Sequence, residues 1–89
     1  MKLMKKDGKI VDFNPSKIIT SIENAADDIG ISVTSSDIKL LSEDIINSLK
    51  LLSREANYTS SYEVRSLVVD TLIKNGHKNI AKSYMSNMF

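Results

Sequence analysis

The chain has 89 residues, 42% of them apolar and 26% charged, with a formal net charge of +1 and no cysteine. That length leaves room for one domain, residues 1–89, with one modest core, and the composition is that of an ordinary soluble globular chain. Disulfides and cysteine zinc sites are excluded, a reducing, cytoplasmic compartment fits, no apolar run approaches the ~18–20 residues of a bilayer span, and the near-neutral total argues against bulk nucleic-acid binding.

Asp7-Gly8 stands between Leu3-Met4 and Ile10-Val11. Asp-Gly is a preferred two-residue hairpin turn because both central positions need positive φ, so Leu3 to Phe13 reads as a β-hairpin. Asn14-Pro15 then reads as a helix start, with Asn as N-cap and Pro at the first helical position. Ile18, Ile22, Ala25, Ala26 and Ile29 share one helical face, and Gly30 suits a C-terminal cap, which predicts a first helix over residues 15–29.

Thr34-Ser35-Ser36-Asp37 offers several N-caps for a second helix. Its stripe of Ile38, Leu41, Ile45, Leu49 and Leu52 is widened by Leu40 and Ile46, which predicts the central, most buried helix. Ala56-Asn57-Tyr58-Thr59 reads as a short third strand pairing with the hairpin. Ser60 or Ser61 starts a third helix, with Glu63 as a capping-box partner and Val64, Leu67, Val68 and Leu72 as its apolar face. Asn75-Gly76 stops it, and Ile80, Ala81, Tyr84, Met85 and Met88 keep helical spacing in a short fourth helix. The fold class is α+β: a small antiparallel sheet, a β-hairpin plus the third strand, capping a four-helix bundle.

Charge is unevenly placed. Residues 1–17 hold five lysines against two aspartates, a local +3, while the remainder holds seven basic against nine acidic residues. Lys17 falls in the first helical turn, where the macrodipole disfavours a cation. An anion at that terminus would reverse the misfit, and Lys5, Lys6 and Lys9 reach the same place, which suggests a phosphate-bearing ligand. On these features alone a solvated hairpin with ordinary surface lysines is the simpler reading.

Catalytic signatures are missing. There is neither a GxxxxGK[ST] loop nor a GxGxxG. The single histidine, His77, follows a turn and reads as a surface residue. Asp27 and Asp28, adjacent on a helix, point about 100° apart and read as solvated acids. No set of residues makes a catalytic site.

Taken together these residues resemble the ATP-cone domain, the regulatory nucleotide-binding module at the N-terminus of many ribonucleotide reductases, including the anaerobic type, and of a bacterial repressor of reductase genes. The resemblance rests on Lys5-Lys6-Asp7-Gly8, Phe13-Asn14 and Lys17-Ile18. It continues in Ser61-Tyr62-Glu63-Val64-Arg65-Ser66-Leu67-Val68 and in Asn75-Gly76-His77-Lys78-Asn79-Ile80-Ala81-Lys82-Ser83-Tyr84, and so covers essentially the whole chain. Family members often close with Tyr-Arg, where this chain has Asn87-Met88. The resemblance implies a sheet lid over a helical bundle and ATP or dATP, with Mg²⁺, as effector rather than substrate. It implies phosphate contacts from Lys5, Lys6 and Lys17, and a role for Asn14 near the helix terminus. Ile18 and Leu3 would form apolar walls, and Ser61 and Arg65 polar nucleotide contacts.

The implied function is allosteric control of ribonucleotide reductase activity or oligomeric state through a catalytic domain, a partner subunit or a homo-oligomer. The chain carries no reductase catalytic domain and no cysteine zinc ribbon. It therefore reads as an excised regulatory domain or a free-standing cone acting in trans. The alternative is a ligand-less cone that serves as a protein-interaction module through the apolar side chains of Tyr84, Met85, Met88 and Phe89.

Overall fold

Three of the four helices start at a side-chain cap, and two end on a glycine, as local hydrogen-bond accounting requires. The structure, a computed structural model, describes residues 2–4, 7–12, 14, 16–55 and 59–88, with side chains for all of these except 53–55, 59, 87 and 88. The order is β1 (Lys2–Met4), β2 (Ile10–Asp12), α1 (Ser16–Asp28), α2 (Ser35–Glu55), β3 (Thr59–Ser60), α3 (Ser61–Lys74) and α4 (Lys78–Met88).

Asn14 caps α1: its Oδ1 accepts from the Ser16 backbone N–H at 3.0 Å and from the Ser16 hydroxyl at 2.9 Å, and its carbonyl accepts from the Lys17 N–H at 3.1 Å. Thr34, of the four candidates, caps α2, its hydroxyl accepting from the Asp37 N–H at 3.1 Å. Ser60 caps α3 with extended dihedrals, accepting from the Glu63 N–H at 3.1 Å. At the other end, Gly30 and Gly76 take φ of +70° and +86°. Each is followed by a six-to-one hydrogen bond, Ile31 to Ala26 at 2.9 Å and His77 to Leu72 at 2.8 Å, which closes the helix in a Schellman motif.

The hairpin differs from the two-residue turn expected at Asp7-Gly8. Pairs run Lys2↔Asp12, Leu3↔Val11 and Met4↔Ile10, a register that places an odd number of residues between the strands and so excludes a two-residue loop at positions 7 and 8. Among the described residues positive φ is confined to glycines, Gly8 at +85° in this turn, and the Asp7 carboxylate accepts the Lys9 N–H at 3.0 Å. The alternation explains the register. Leu3 and Val11 are half-buried while Lys2, Ile10 and Asp12 are exposed, and a one-residue slip would turn the apolar pair outward. Lys2 and Asp12 form an ion pair across the strands.

β1 is the middle strand, in the order β2-β1-β3. β3 pairs with it in parallel, Leu3↔Thr59 and Met4↔Ser60, which corrects the purely antiparallel sheet expected from sequence. A tight connection forces the hairpin to be antiparallel, whereas β3 returns through two helices and is free to run either way. Residues 56–58 of the expected third strand lie outside the described residues.

The core is one cluster drawn from all four helices: Ile18, Ile22, Ala25 and Ala26 of α1; Leu41, Ile45 and Leu49 of α2; Val64, Val68 and Leu72 of α3; and Ile80, Ala81 and Tyr84 of α4. Burying each large member stabilises the fold by about 1.5–3 kcal/mol. The small residues Ala25, Ala26 and Ala81 let α1 and α4 approach closely, and the buried Ser83 hydroxyl spans them by donating to the Ala25 carbonyl at 2.7 Å. α4 packs on both α1 and α3, whereas α2 packs chiefly on α3. The expectation of α2 as the central helix is therefore overturned. Leu40, counted in its apolar stripe, is 62% exposed, and Ile46 is only half-buried.

Candidate functional site

A cavity of about 190 Å³ opens where β1, α1, α3 and α4 meet. Its walls follow from helical spacing. Ile18 and Ser21 of α1, Ser61, Val64 and Arg65 of α3, and Tyr84 of α4 each face it, with Leu3 of β1 and Lys17 of α1 completing the lining. Leu3, Ile18, Val64 and Tyr84 make an apolar floor, the last three nearly fully buried. Ser21 and Ser61 are small enough to leave the space open. Lys17, Ser21, Ser61 and Arg65 give the cavity a polar side with two cations.

The electrostatics are one-sided. The first turn of α1 carries no acidic residue, so the dipole's positive end and Lys17 add rather than cancel. One guanidinium nitrogen of Arg65 is buried. Burial pushes the Tyr84 phenol above its ordinary value against the opposing pull of Arg65, so near neutral pH it is an un-ionised hydroxyl. An apolar floor beside fixed positive charge suits a ligand that is flat and apolar at one end and anionic at the other. Among the described residues no group of three or more histidine, aspartate or glutamate side chains is placed to hold a metal ion.

Of the residues singled out from sequence, Leu3, Lys17, Ile18, Ser61 and Arg65 share this one cavity although they span most of the chain. Asn14 stands at the head of α1 as its cap and does not line the cavity. Lys5 and Lys6 lie outside the described residues. Sequence reasoning missed Ser21, Val64 and Tyr84 as wall residues. Ser21 lies one turn after Lys17, to whose carbonyl its hydroxyl donates at 3.0 Å, and that spacing is the signal that pointed to it. Val64 and Tyr84 were placed in apolar stripes, and only the packing shows that their outer edges border a space. Tyr84 is 3% exposed, so it does not belong to the apolar surface drawn for an interaction module. Met85 is half exposed, while the Met88 side chain and Phe89 lie outside the described residues. His77 is half-buried and works through its backbone at the α3–α4 turn.

No described helix is long and apolar enough to cross a membrane. No curated protein matches the chain. A family model described as the ATP cone domain matches residues 1–87. Domains of that family are, in general, nucleotide-binding allosteric regulators rather than catalysts. A match over nearly the whole length, on a sheet-capped bundle of four helices, means that the chain belongs to the ATP-cone domain family.

Proposed function

We propose that this domain binds ATP or dATP at the cavity between β1, α1, α3 and α4, as an effector that controls a ribonucleotide reductase. The observation that carries the reading is the convergence of Leu3, Lys17, Ile18, Ser61 and Arg65 on one cavity at the positive end of α1. The cavity's 190 Å³ is below the ~300–1,000 Å³ usual for a whole drug-sized ligand, so it takes the base and leaves the phosphates at the rim. There Lys17, with Lys5 and Lys6 of the hairpin connection, supplies the charge that a triphosphate with its Mg²⁺ requires. The base rests on Ile18, Val64 and Leu3, and Ser61 and Arg65 offer polar contacts.

The cavity walls come from three helices and a strand, so occupancy bears on how those elements sit together. Regulation then acts through the outer helix faces, which set association with a reductase catalytic domain, a partner subunit or a second copy. Opposite responses to ATP and dATP require that the two nucleotides favour different states, since a ligand shifts an equilibrium only by its differential affinity. Calorimetric titration with each nucleotide in the presence of Mg²⁺, run beside light scattering, tests the proposal. Binding of both, with one driving association, is the expected result. A folded chain that gives no heat with either nucleotide refutes it.

A further inference from the structure

The polar side of the nucleotide cavity is rich in donors. Lys17 and Arg65 are cations and can only donate. Ser61 is the first residue of α3, where backbone N–H groups point out of the helix end. Tyr84 is an un-ionised hydroxyl that can both donate and accept. Ser21 differs from all of these. Its hydroxyl donates to the Lys17 carbonyl at 3.0 Å, one turn back along α1. A serine hydroxyl has one hydrogen and two lone pairs. With the hydrogen held by the backbone, the side chain presents the cavity with an acceptor.

Ser21 also stands at the depth a base would reach. Lys17 is exposed, Ile18 is buried, and Ser21 is half-buried one turn further along α1. Residues four apart on a helix are about 5–6 Å apart at Cβ. A nucleotide whose phosphates meet Lys17 at the rim therefore carries its base past Ser21. The apolar walls, Leu3, Ile18 and Val64, select a flat shape but do not distinguish one base from another. That distinction falls to the groups able to donate to the base edge or accept from it.

We propose that the Ser21 Oγ selects the base, by accepting a hydrogen bond from an exocyclic amino group. The cavity then takes an amino-bearing base such as adenine and disfavours its 6-oxo counterpart. The inference rests on the nucleotide reading of this cavity. An oxo group in the same place sets lone pair against lone pair, and neither oxygen gains a hydrogen. A near-isostere is rejected in this way, by a polar group left without its partner rather than by bulk.

The test is calorimetric titration of the whole chain, with Mg²⁺ present, using ATP, dATP and inosine triphosphate, whose base carries a 6-oxo group where adenine has the amino group. The unaltered chain should bind ATP about tenfold more tightly than inosine triphosphate. Ser21→Ala keeps a good helix former and removes the acceptor. It should weaken ATP and dATP alike by about fivefold and shrink the preference over inosine triphosphate to within about twofold. Ser21→Thr restores the hydroxyl, and Thr20 makes the same bond to the Ser16 carbonyl at 3.4 Å in this helix, so the preference should be kept. An undiminished preference in Ser21→Ala overturns the proposal. So does a preference lost in Ser21→Thr as fully as in Ser21→Ala, because shape would then be at work. A loss confined to ATP, with dATP unchanged, overturns it as well, since Ser21 would then read the ribose 2′-hydroxyl. If the folded, unaltered chain binds neither ATP nor dATP, the nucleotide reading itself fails and this inference falls with it.

Discussion

Lys17→Ala should move stability and ligand affinity in opposite directions, which no purely structural role for this lysine predicts. Lys17 sits in the first turn of α1, exposed, with no acidic residue in that turn. Removing a cation from the positive end of a helix relieves about 0.3–1 kcal/mol of dipole repulsion, and alanine adds at most a few tenths in propensity. A domain of this size gains roughly 4–8 °C per kcal/mol, so the free protein should melt about 1–8 °C higher. The same substitution removes a charge-assisted phosphate contact of about 1.5–3 kcal/mol. Solvent screening at an exposed site favours the lower end of that range, a loss of about tenfold in ATP affinity at 1.4 kcal/mol per decade. Differential scanning calorimetry of the free chain and isothermal titration of the same sample give both numbers. If the melting temperature rises while ATP binds within about twofold of the unaltered chain, Lys17 is a surface charge and the site assignment fails. If the melting temperature falls, the dipole argument is wrong.

Ser83→Ala removes the buried hydrogen bond to the Ala25 carbonyl between α4 and α1; it should cost about 1–2 kcal/mol in denaturant unfolding with an unchanged slope against denaturant. Gly76→Ala meets no atom within 4 Å, so its cost of about 1–2 kcal/mol comes from the left-handed backbone alone. A loss well beyond that in the same measurement would mean that the α3–α4 turn is held by something other than its φ. Asp12→Asn tests the strand pair. The hydrogen bond and charge of Lys2 hold the Asp12 carboxyl below its ordinary value. Its stabilising contribution is therefore present above the unfolded carboxyl's value and lost as pH falls through the folded one. The stability gap between the unaltered chain and Asp12→Asn should close on acidification from pH 7 to below about 4, and close further with salt. A gap that widens on acidification refutes the pairing.

Much of the architecture was legible because helix ends are local chemistry. Asn14, Thr34 and Ser60 are short polar side chains that satisfy orphan N–H groups, and Gly30 and Gly76 supply the positive φ of a Schellman end. The candidate site was half legible for the same reason. A lysine in the first turn of α1 is a misfit visible within a few residues. The resemblance of the flanking motifs pointed to Leu3, Ser61 and Arg65. Ser21 is marked only by its spacing of one turn from Lys17, and Val64 and Tyr84 carry no comparable mark. A wall residue is defined by the space opposite it, which is made by other elements.

The helices' faces, their caps and the concentration of lysine in the first 17 residues were determined by the order of the amino acids. Each depends on groups a few positions apart, and periodicity and dipoles act over that range. Only the tertiary structure decided that β3 runs parallel to β1, that α4 rather than α2 lies between its neighbours, and that α3 walls a cavity on one side and an open recess on the other. Those outcomes depend on which volumes fill and which stay open when distant elements pack. Leu40 has the same side chain as Leu41, yet one is 62% exposed and the other 1%, because burial is a property of the neighbour across the interface and not of the residue itself.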